Sequence, residues 1–361
     1  MPHDPLPDYA SILREVREVR RVGVVRLRDV ELPSLEGEAA ALEPDSSPYG
    51  EVERLLRLAV SRIGGGMLQE AAEYCLGLAP NTRDWQGADR RKRAAQVYQV
   101  SVERFRKHHE VMILGQVAEQ VLRLADRSAG ERDAPHAASG VGHHTFEVAV
   151  GRERIVSVSV HDHPVDLLRD VDVVVSPTNT YFALPEAYKS SVSASLRRAG
   201  ALRGPTGELV EDLIHDELNR WTARHGAPGR AVLPGTVATT GAGALAKQGI
   251  RRIYHAAIAV PRAGTNDYDV LPADVTRACA RALDALAEEH ERFDPPLRSI
   301  CFPLLGSGRG GLRPEDSAAA VWAAIEADLA RGAHWEIHLA VLGSAGANAV
   351  ERLLAGKGGG G

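Results

Sequence analysis

Cysteine is nearly missing from this 361-residue chain. The three that occur, Cys75, Cys279 and Cys301, lie far apart and form no Cys-x-x-Cys pair. That pattern excludes a disulfide framework and offers no zinc-ligand spacing, so a reducing cytosol fits best. Long apolar runs are missing too: nothing approaches the roughly 18 residues of a membrane-spanning helix. The N-terminus carries Pro and Asp early and has no hydrophobic signal core. The expected location is therefore cytoplasmic, with no membrane partner. Positive charge is not in excess, since the net charge is -5, and this excludes a nucleic-acid binder that works by bulk electrostatics. Lysine is scarce beside arginine, alanine and glycine, which suits a GC-rich bacterial genome. The adjacent His143 and His144 point to opposite faces of a strand and make no metal site. Neither a metal nor a cofactor is expected.

What is present is an ordinary globular mix, 44% hydrophobic and 25% charged, long enough for two domains. Residues 1–50 read as an N-terminal extension with one short helix over Ser11–Arg21, where Ile12, Val16 and Val19 recur at helical spacing. Residues 51–126 read as all-helical. Val52, Leu55, Leu56, Ala59, Val60 and Ile63 make one apolar face, closed by Gly64, Gly65 and Gly66. A second helix covers Leu68–Leu76, a third Arg90–Tyr98. After a break at Gln99–Ser101, with Ser101 as N-cap, a long helix runs from Val102 to Ala125. The stretch from Ala94 to Lys107 has the look of a helix-turn-helix core, and Arg90, Arg91, Lys92, Arg93, Arg104, Arg106 and Lys107 supply phosphate-seeking charge. A helical bundle with a short turn explains the same pattern. Residues 127–144 are small and flexible, a linker.

From residue 145 strands and helices alternate. Strands are read at Phe146–Val150, Ile155–Val160, Asp172–Ser176, Ala231–Leu233, Arg252–Val260, Ser299–Phe302 and Glu336–Val341. Helices are read at Leu209–Ala223, Asp274–Glu289 and Glu315–Ala330. This order implies a mixed sheet covered on both faces, a three-layer α/β/α domain over residues 145–356, followed by a Gly-rich tail at 357–361. Ligands in such sheets sit beyond the carboxyl ends of the strands, where Asn179 and the loop after Phe302 both fall. That loop holds Gly306, Ser307, Gly308, Arg309, Gly310 and Gly311 ahead of a helix opened by Pro314, Glu315 and Asp316. Strand, glycine loop and helix start together make a phosphate cradle, because glycine lets the backbone approach an anion and the following amides point at it. The Lys-Ser/Thr ending of a Walker loop is missing.

Three stretches, in order, resemble macro domains. Asp172-Val-Val-Val-Ser-Pro-Thr-Asn179 resembles their Asp-Ala-Ile-Val-Asn-Ala-Ala-Asn strand. Pro234-Gly-Thr-Val-Ala-Thr-Thr-Gly-Ala-Gly-Ala-Leu245 with Ile250-Arg-Arg-Ile-Tyr-His-Ala256 is similar to their Gly-x-Val-x-x-Thr-x-Gly and Ile-x-His-Ala stretch. Phe302-Pro-Leu-Leu-Gly-Ser-Gly-Arg-Gly-Gly-Leu312 resembles their second phosphate loop. The resemblance covers about residues 145–355 and implies a macro-like α/β/α sandwich that binds ADP-ribose or a related ADP-ribosyl group. It implies Asp162 for the adenine, Ser176 in place of the first Asn, Asn179 orienting the distal ribose, and Gly306–Gly311 on the diphosphate. It departs after Asn179, where the family has a glycine-rich first phosphate loop: here no glycine occurs until Gly200. Glu186 is the candidate acid or base there, with Lys189 able to pair with phosphate. An Asn at a strand end also closes its own turn. The helical part resembles a small all-helical module found before varied domains in actinobacterial proteins, whose function does not carry over.

Three functions follow. The first is a reader of an ADP-ribose-type small ligand or an ADP-ribosylated macromolecule, its helical domain recruiting a protein partner (or, on the helix-turn-helix reading, nucleic acid). The second is a metal-free ADP-ribosyl hydrolase using Asn179 and Glu186. The third is a degenerate macro fold serving as an interaction scaffold.

Overall fold

The structure, a computed structural model, describes residues 9–42, 48–63, 66–82, 84–130, 143–151, 154–185, 191–203, 209–226, 228–263 and 267–358. The chain divides into two compact units: Met1–Val141 with Tyr188–Ser190 and Arg203–Val210, and Gly142–Ala187 with Ser191–Leu202 and Glu211–Gly361.

The first unit is a helical bundle. Its helices are α1 (Tyr9–Val22), α2 (Pro33–Leu42), α3 (Pro48–Arg62), α4 (Gly66–Leu76), α5 (Gly87–Val97) and α6 (Glu110–Gly130). Ile12, Val16 and Val19 are fully buried at spacings of four and three, one stripe of α1 facing the core. Each such side chain contributes about 1.5–3 kcal/mol by leaving water. Glu15 on α1 is buried as well, and its carboxylate accepts the amides of Ser34 (3.0 Å) and Leu35 (2.8 Å). These are otherwise unpaired donors in the first turn of α2. The long helix read from Val102 starts there, with Ser101 Oγ accepting from Arg104 N at 3.2 Å. It widens into a π turn at Phe105–His109 before continuing as α6.

α6 is the bundle's central helix, with Ile113, Val117, Ala118 and Val121 fully buried. Two of the arginines read as phosphate contacts are engaged inside the bundle. Arg90 is buried and donates from Nη2 to the carbonyls of Arg20 (2.9 Å) and Arg21 (3.4 Å), capping the end of α1. It fits because Gly23, at φ 85, has no side chain: a Cβ there would lie 1.7 Å from Arg90 Nη1. Burial, with Arg20 close by, pulls the Arg90 guanidinium below its ordinary value. Arg91 and Arg20 both donate to the buried Glu110. Lys107 pairs with Glu103 one turn away on the surface.

The second unit is the expected α/β/α arrangement. Its strands are β1 (His143–Val150), β2 (Arg154–Asp162), β3 (Val173–Asn179), β4 (Val237–Gly241), β5 (Arg252–Pro261), β6 (Tyr268–Asp269), β7 (Ser299–Pro303) and β8 (Glu336–Val341). They run in the order β1-β2-β8-β7-β3-β5-β4, with β6 on the end of β5. β2, β8, β7, β3 and β5 are mutually parallel, while β1, β4 and β6 are antiparallel to their neighbours. Helices α7 (Val192–Gly200), α8 (Leu213–Arg224), α9 (Pro272–Glu289), α10 (Pro314–Ala330) and α11 (Ser344–Gly358) complete it.

The period of two along each strand divides the side chains between two cores. Val173, Val175, Tyr254, Ile300, Phe302 and Leu339 pack on one face with residues of α9, α10 and α11. Val174, Ile253, Cys301 and Ala340 pack on the other with Leu196 of α7 and Ile214 of α8. All three cysteines are buried and unpaired, and burial pushes the Cys75 thiol up to about 12 and the other two higher still.

Two readings of local structure are corrected. The helix read at Leu209–Ala223 begins only at Leu213: Leu209–Glu211 form a short strand, and Asp212, outside helical geometry, pairs with Arg197 at 2.6 Å. No strand forms at Ala231–Leu233: Leu233 is exposed, and the chain turns at Pro234 and Gly235 (φ 96) before entering β4 at Val237. Most of the stretch read as a linker lies outside the described residues.

Candidate functional site

The candidate site is the carboxyl edge of the parallel strands. β3 and β7 are paired only at Val173 with Ile300 and Val174 with Cys301. β3 then follows β5 as far as Asn179, while β7 follows β8 as far as Pro303. The two central strands thus part in their second halves, towards the turn after β3 and the loop after β7. The parting also explains Pro177 in the middle of a central strand. On the β7 side no ladder bond is there to lose.

The loop after β7 is built on glycine for two physical reasons. Gly306 sits at φ 83, and a Cβ on it would lie 2.8 Å from Val270 Cγ1 and 2.9 Å from Leu312 Cδ1. A Cβ on Gly310 would lie 2.6 Å from Val270 Cγ2 and 2.7 Å from the Gly306 carbonyl. The turn is pinned by Leu312 N donating to Gly306 O (3.1 Å) and Gly311 N to Gly308 O (3.1 Å). Ser317 Oγ of α10 donates to Leu305 O at 2.7 Å and ties the loop to the helix. The Ser307 hydroxyl is spent on Leu304 O at 2.8 Å. Among the described residues no carbonyl takes the amides of Gly308, Arg309 and Gly310.

α10 starts at Pro314, its positive end behind this loop. The two carboxylates of its first turn are countered: Asp316 pairs with Arg313 (2.8 Å) and Glu315 with Arg352 (3.1 Å). The hydrogen bond from Arg313 holds the Asp316 carboxyl below its usual value. Arg309 is exposed, its guanidinium 5.0 Å from the centre of the Tyr268 ring. The positive end of α10, the unpaired amides and the exposed arginine are groups whose chemistry suits an anion with several oxygens.

The turn after β3 is arranged otherwise. Asn179 Oδ1 accepts the amides of Tyr181 (3.0 Å) and Ala183 (3.2 Å), and Nδ2 donates to Ala183 O (3.0 Å). The side chain closes its own turn, which carries Phe182 at φ 53. Phe182 is buried and packs edge-on to Trp221 of α8 at 5.2 Å, while Tyr181 is exposed. Asp162 ends β2, level with Val341 of β8, and its Oδ1 accepts from Gly343 N at 3.1 Å. The edge of the sheet therefore gathers Asp162, Asn179 and the glycine loop. Ser176 is different, being fully buried three residues before Asn179. Glu186 and Lys189 lie outside the described residues.

Ser176 belongs to a buried polar row that the sequence motifs contained without giving it a role. Ser176 pairs in register with His255 of β5, so their side chains leave the same face of the sheet. His255 Nε2 lies 3.0 Å from Thr240 Oγ1, whose own proton goes to the Gly241 carbonyl at 3.1 Å. The ring is thus held through Nε2, and Nδ1 is its other polar atom. That Nδ1, Ser176 Oγ and Thr178 Oγ1 are buried without a hydrogen-bonding partner. Burial, with Arg252 adding to it, pushes His255 down to about 3, so the ring is neutral.

Tyr268 and Val270 are the residues that sequence reading missed at this site. The strand that holds Tyr268 and precedes Val270 has two residues and no periodic signal. Among the described residues, no group of three or more His, Cys, Asp or Glu side chains is placed to hold a metal ion. No described helix is long and apolar enough to cross a membrane.

No protein-family model matches the chain. No curated protein matches it. Solved structures of macrodomains do align with it. A mutant of the Oceanobacillus iheyensis macrodomain with ADPR aligns at 13% identity and a TM-score of 0.45, over 59% of this chain and 97% of that one. The same macrodomain with ADP aligns at 14% identity and a TM-score of 0.44, over 59% and 96%. The Trypanosoma brucei macrodomain in complex with ADP-ribose aligns at 15% identity and a TM-score of 0.40, over 54% and 68%.

Proposed function

We propose that the second unit binds ADP-ribose, or a related ADP-ribosyl group or nucleotide, and that the helical unit recruits a protein partner to it. One observation carries the reading: the amides of Gly308, Arg309 and Gly310 are open at the carboxyl edge of the sheet, ahead of the positive end of α10. Such a cradle suits a diphosphate. The motif resemblance to macro domains supplies the rest of the ligand. Asp162 has one oxygen on the Gly343 amide and a second that can accept from an adenine amino group. The exposed Tyr181 stands at the same edge and offers a ring face to a base or ribose.

Binding is favoured over hydrolysis because the Asn179 amide is engaged in its own turn on both its oxygen and its nitrogen. A ribose-orienting role would require that turn to open.

Calorimetric titration of the full chain with ADP-ribose, ADP and AMP tests the reading. Binding of both diphosphates, more tightly than AMP, is the expected result. No heat with either diphosphate at millimolar concentration would leave the scaffold function instead. Incubation with an ADP-ribosylated protein should release no free ADP-ribose, and release abolished by Asn179→Ala would establish the hydrolase.

A further inference from the structure

The glycine loop is braced from the side by the short strand β6 and the residue that follows it. Val270 touches the loop at two points, since both Gly306 and Gly310 lie where a Cβ would run into its methyl groups. Tyr268, two residues earlier, carries Arg309 on its ring. β6 is itself fixed to β5 through Val260 with Asp269 and Pro261 with Tyr268. The brace therefore stands on the sheet, not on the loop it supports.

We propose that Tyr268 is a positioning residue which holds Arg309 ready for the diphosphate of the ligand. This rests on the reading of the loop given above. A guanidinium presents its π face to a ring and its five N–H donors in its plane. Stacking on Tyr268 therefore restricts the arginine while leaving its donor edges available to pair with phosphate oxygens, two at a time. A free arginine has several rotatable bonds to immobilise on binding, and the stacked one has lost part of that freedom beforehand. Of the two carboxylates that flank the platform in sequence, Asp267 and Asp269, the second is paired with Arg262. Among the described residues no carboxylate pairs with Arg309. The charge is thus left for a ligand, and a ligand with two linked phosphates gains more from it than one with a single phosphate.

The test is a double-mutant cycle on the full chain, read by calorimetry with ADP-ribose and with AMP. Tyr268→Leu should weaken ADP-ribose about threefold, the size of an exposed cation–π contact. Tyr268→Phe should restore wild-type affinity, because it keeps the ring face. Arg309→Ala should weaken ADP-ribose about tenfold and flatten its salt dependence, as loss of an exposed charge-assisted phosphate contact does. Adding Tyr268→Leu to Arg309→Ala should change nothing further. The inference is overturned if Tyr268→Leu binds like wild type, or if it weakens the Arg309→Ala protein by the same factor, since Tyr268 would then act on the loop without Arg309. Wild type that binds no diphosphate overturns the ligand reading itself, and the inference with it.

Discussion

The turn after β3 and the loop after β7 leave the same edge of one sheet and dispose of their polar groups in opposite ways. In the first, a side chain rich in donors and acceptors is consumed by its own backbone, and an aromatic residue is driven into the core beneath it. In the second, four of the six residues from Gly306 to Gly311 have no side chain, and three backbone amides take no carbonyl partner among the described residues. Buried or crowded polar groups have to be paired, and a single Asn can satisfy a whole tight turn. Glycine has no side chain to turn back on the backbone, and the amides of Gly308, Arg309 and Gly310 take no carbonyl partner among the described residues. A residue type suited to catalysis is therefore weak evidence of a site, whereas unengaged backbone at a helix start is strong evidence of a binding place.

The largest effect expected on this contrast comes from beneath the β3 turn. His255 is held near 3 in the folded chain and has an ordinary value of 6.5. Its folded value is depressed, so as pH falls below about 6.5 the unfolded chain takes up the proton and the folded one does not. Stability is then lost progressively from pH 6.5 down towards 3, by at most about 1.4 kcal/mol per pH unit. Urea unfolding at pH 7 and pH 4.5 should show wild type losing about 2–3 kcal/mol more than His255→Asn. Equal losses in the two proteins would mean that the ring titrates normally. The effect belongs to the β3 side alone, since no buried histidine lies among the loop residues after β7.

Next comes the loop's close packing. Gly310→Val should cost about 1–3 kcal/mol in thermal unfolding, through overpacking against Val270 and the Gly306 carbonyl, and should abolish diphosphate binding. Gly308→Ala, where a Cβ meets nothing within 4 Å, should leave the melting temperature unchanged. If both substitutions were silent, the loop would not have the rigid form described.

A smaller effect is expected from Asn179→Ala, about 1–2 kcal/mol of stability from unpairing the turn amides, with ADP-ribose affinity changed less than threefold. A large loss of affinity at unchanged stability would make the two loops equal partners in binding.

Much of the fold was readable from the sequence. Buried parallel strands announce themselves as short apolar runs such as Val173–Val175 and Ile300–Phe302, and the helices between them carry period-3.6 stripes. The glycine loop was readable too, because four glycines after such a strand leave few other uses for them. Boundaries failed where a local signal met a tertiary partner. Leu209–Ala223 carries helical periodicity, yet Leu209–Glu211 are drawn into a short strand and the helix starts after Asp212. At the site, Asn179 could be read as a ribose contact or as a turn residue, and its hydrogen bonds to the turn are visible only once the backbone is folded.

The sequence by itself determined the period of each element, the two-faced burial of the sheet and the position of the glycine cradle. All of these are set by neighbours a few residues apart. The parting of β3 from β7, the bare His255 Nδ1 beneath the turn, and the seat of Arg309 on Tyr268 were decided only by the tertiary structure. Each depends on strands distant in the chain becoming adjacent in the sheet. The order of strands in a sheet is fixed by how whole faces pack together, not by any local pattern of residues.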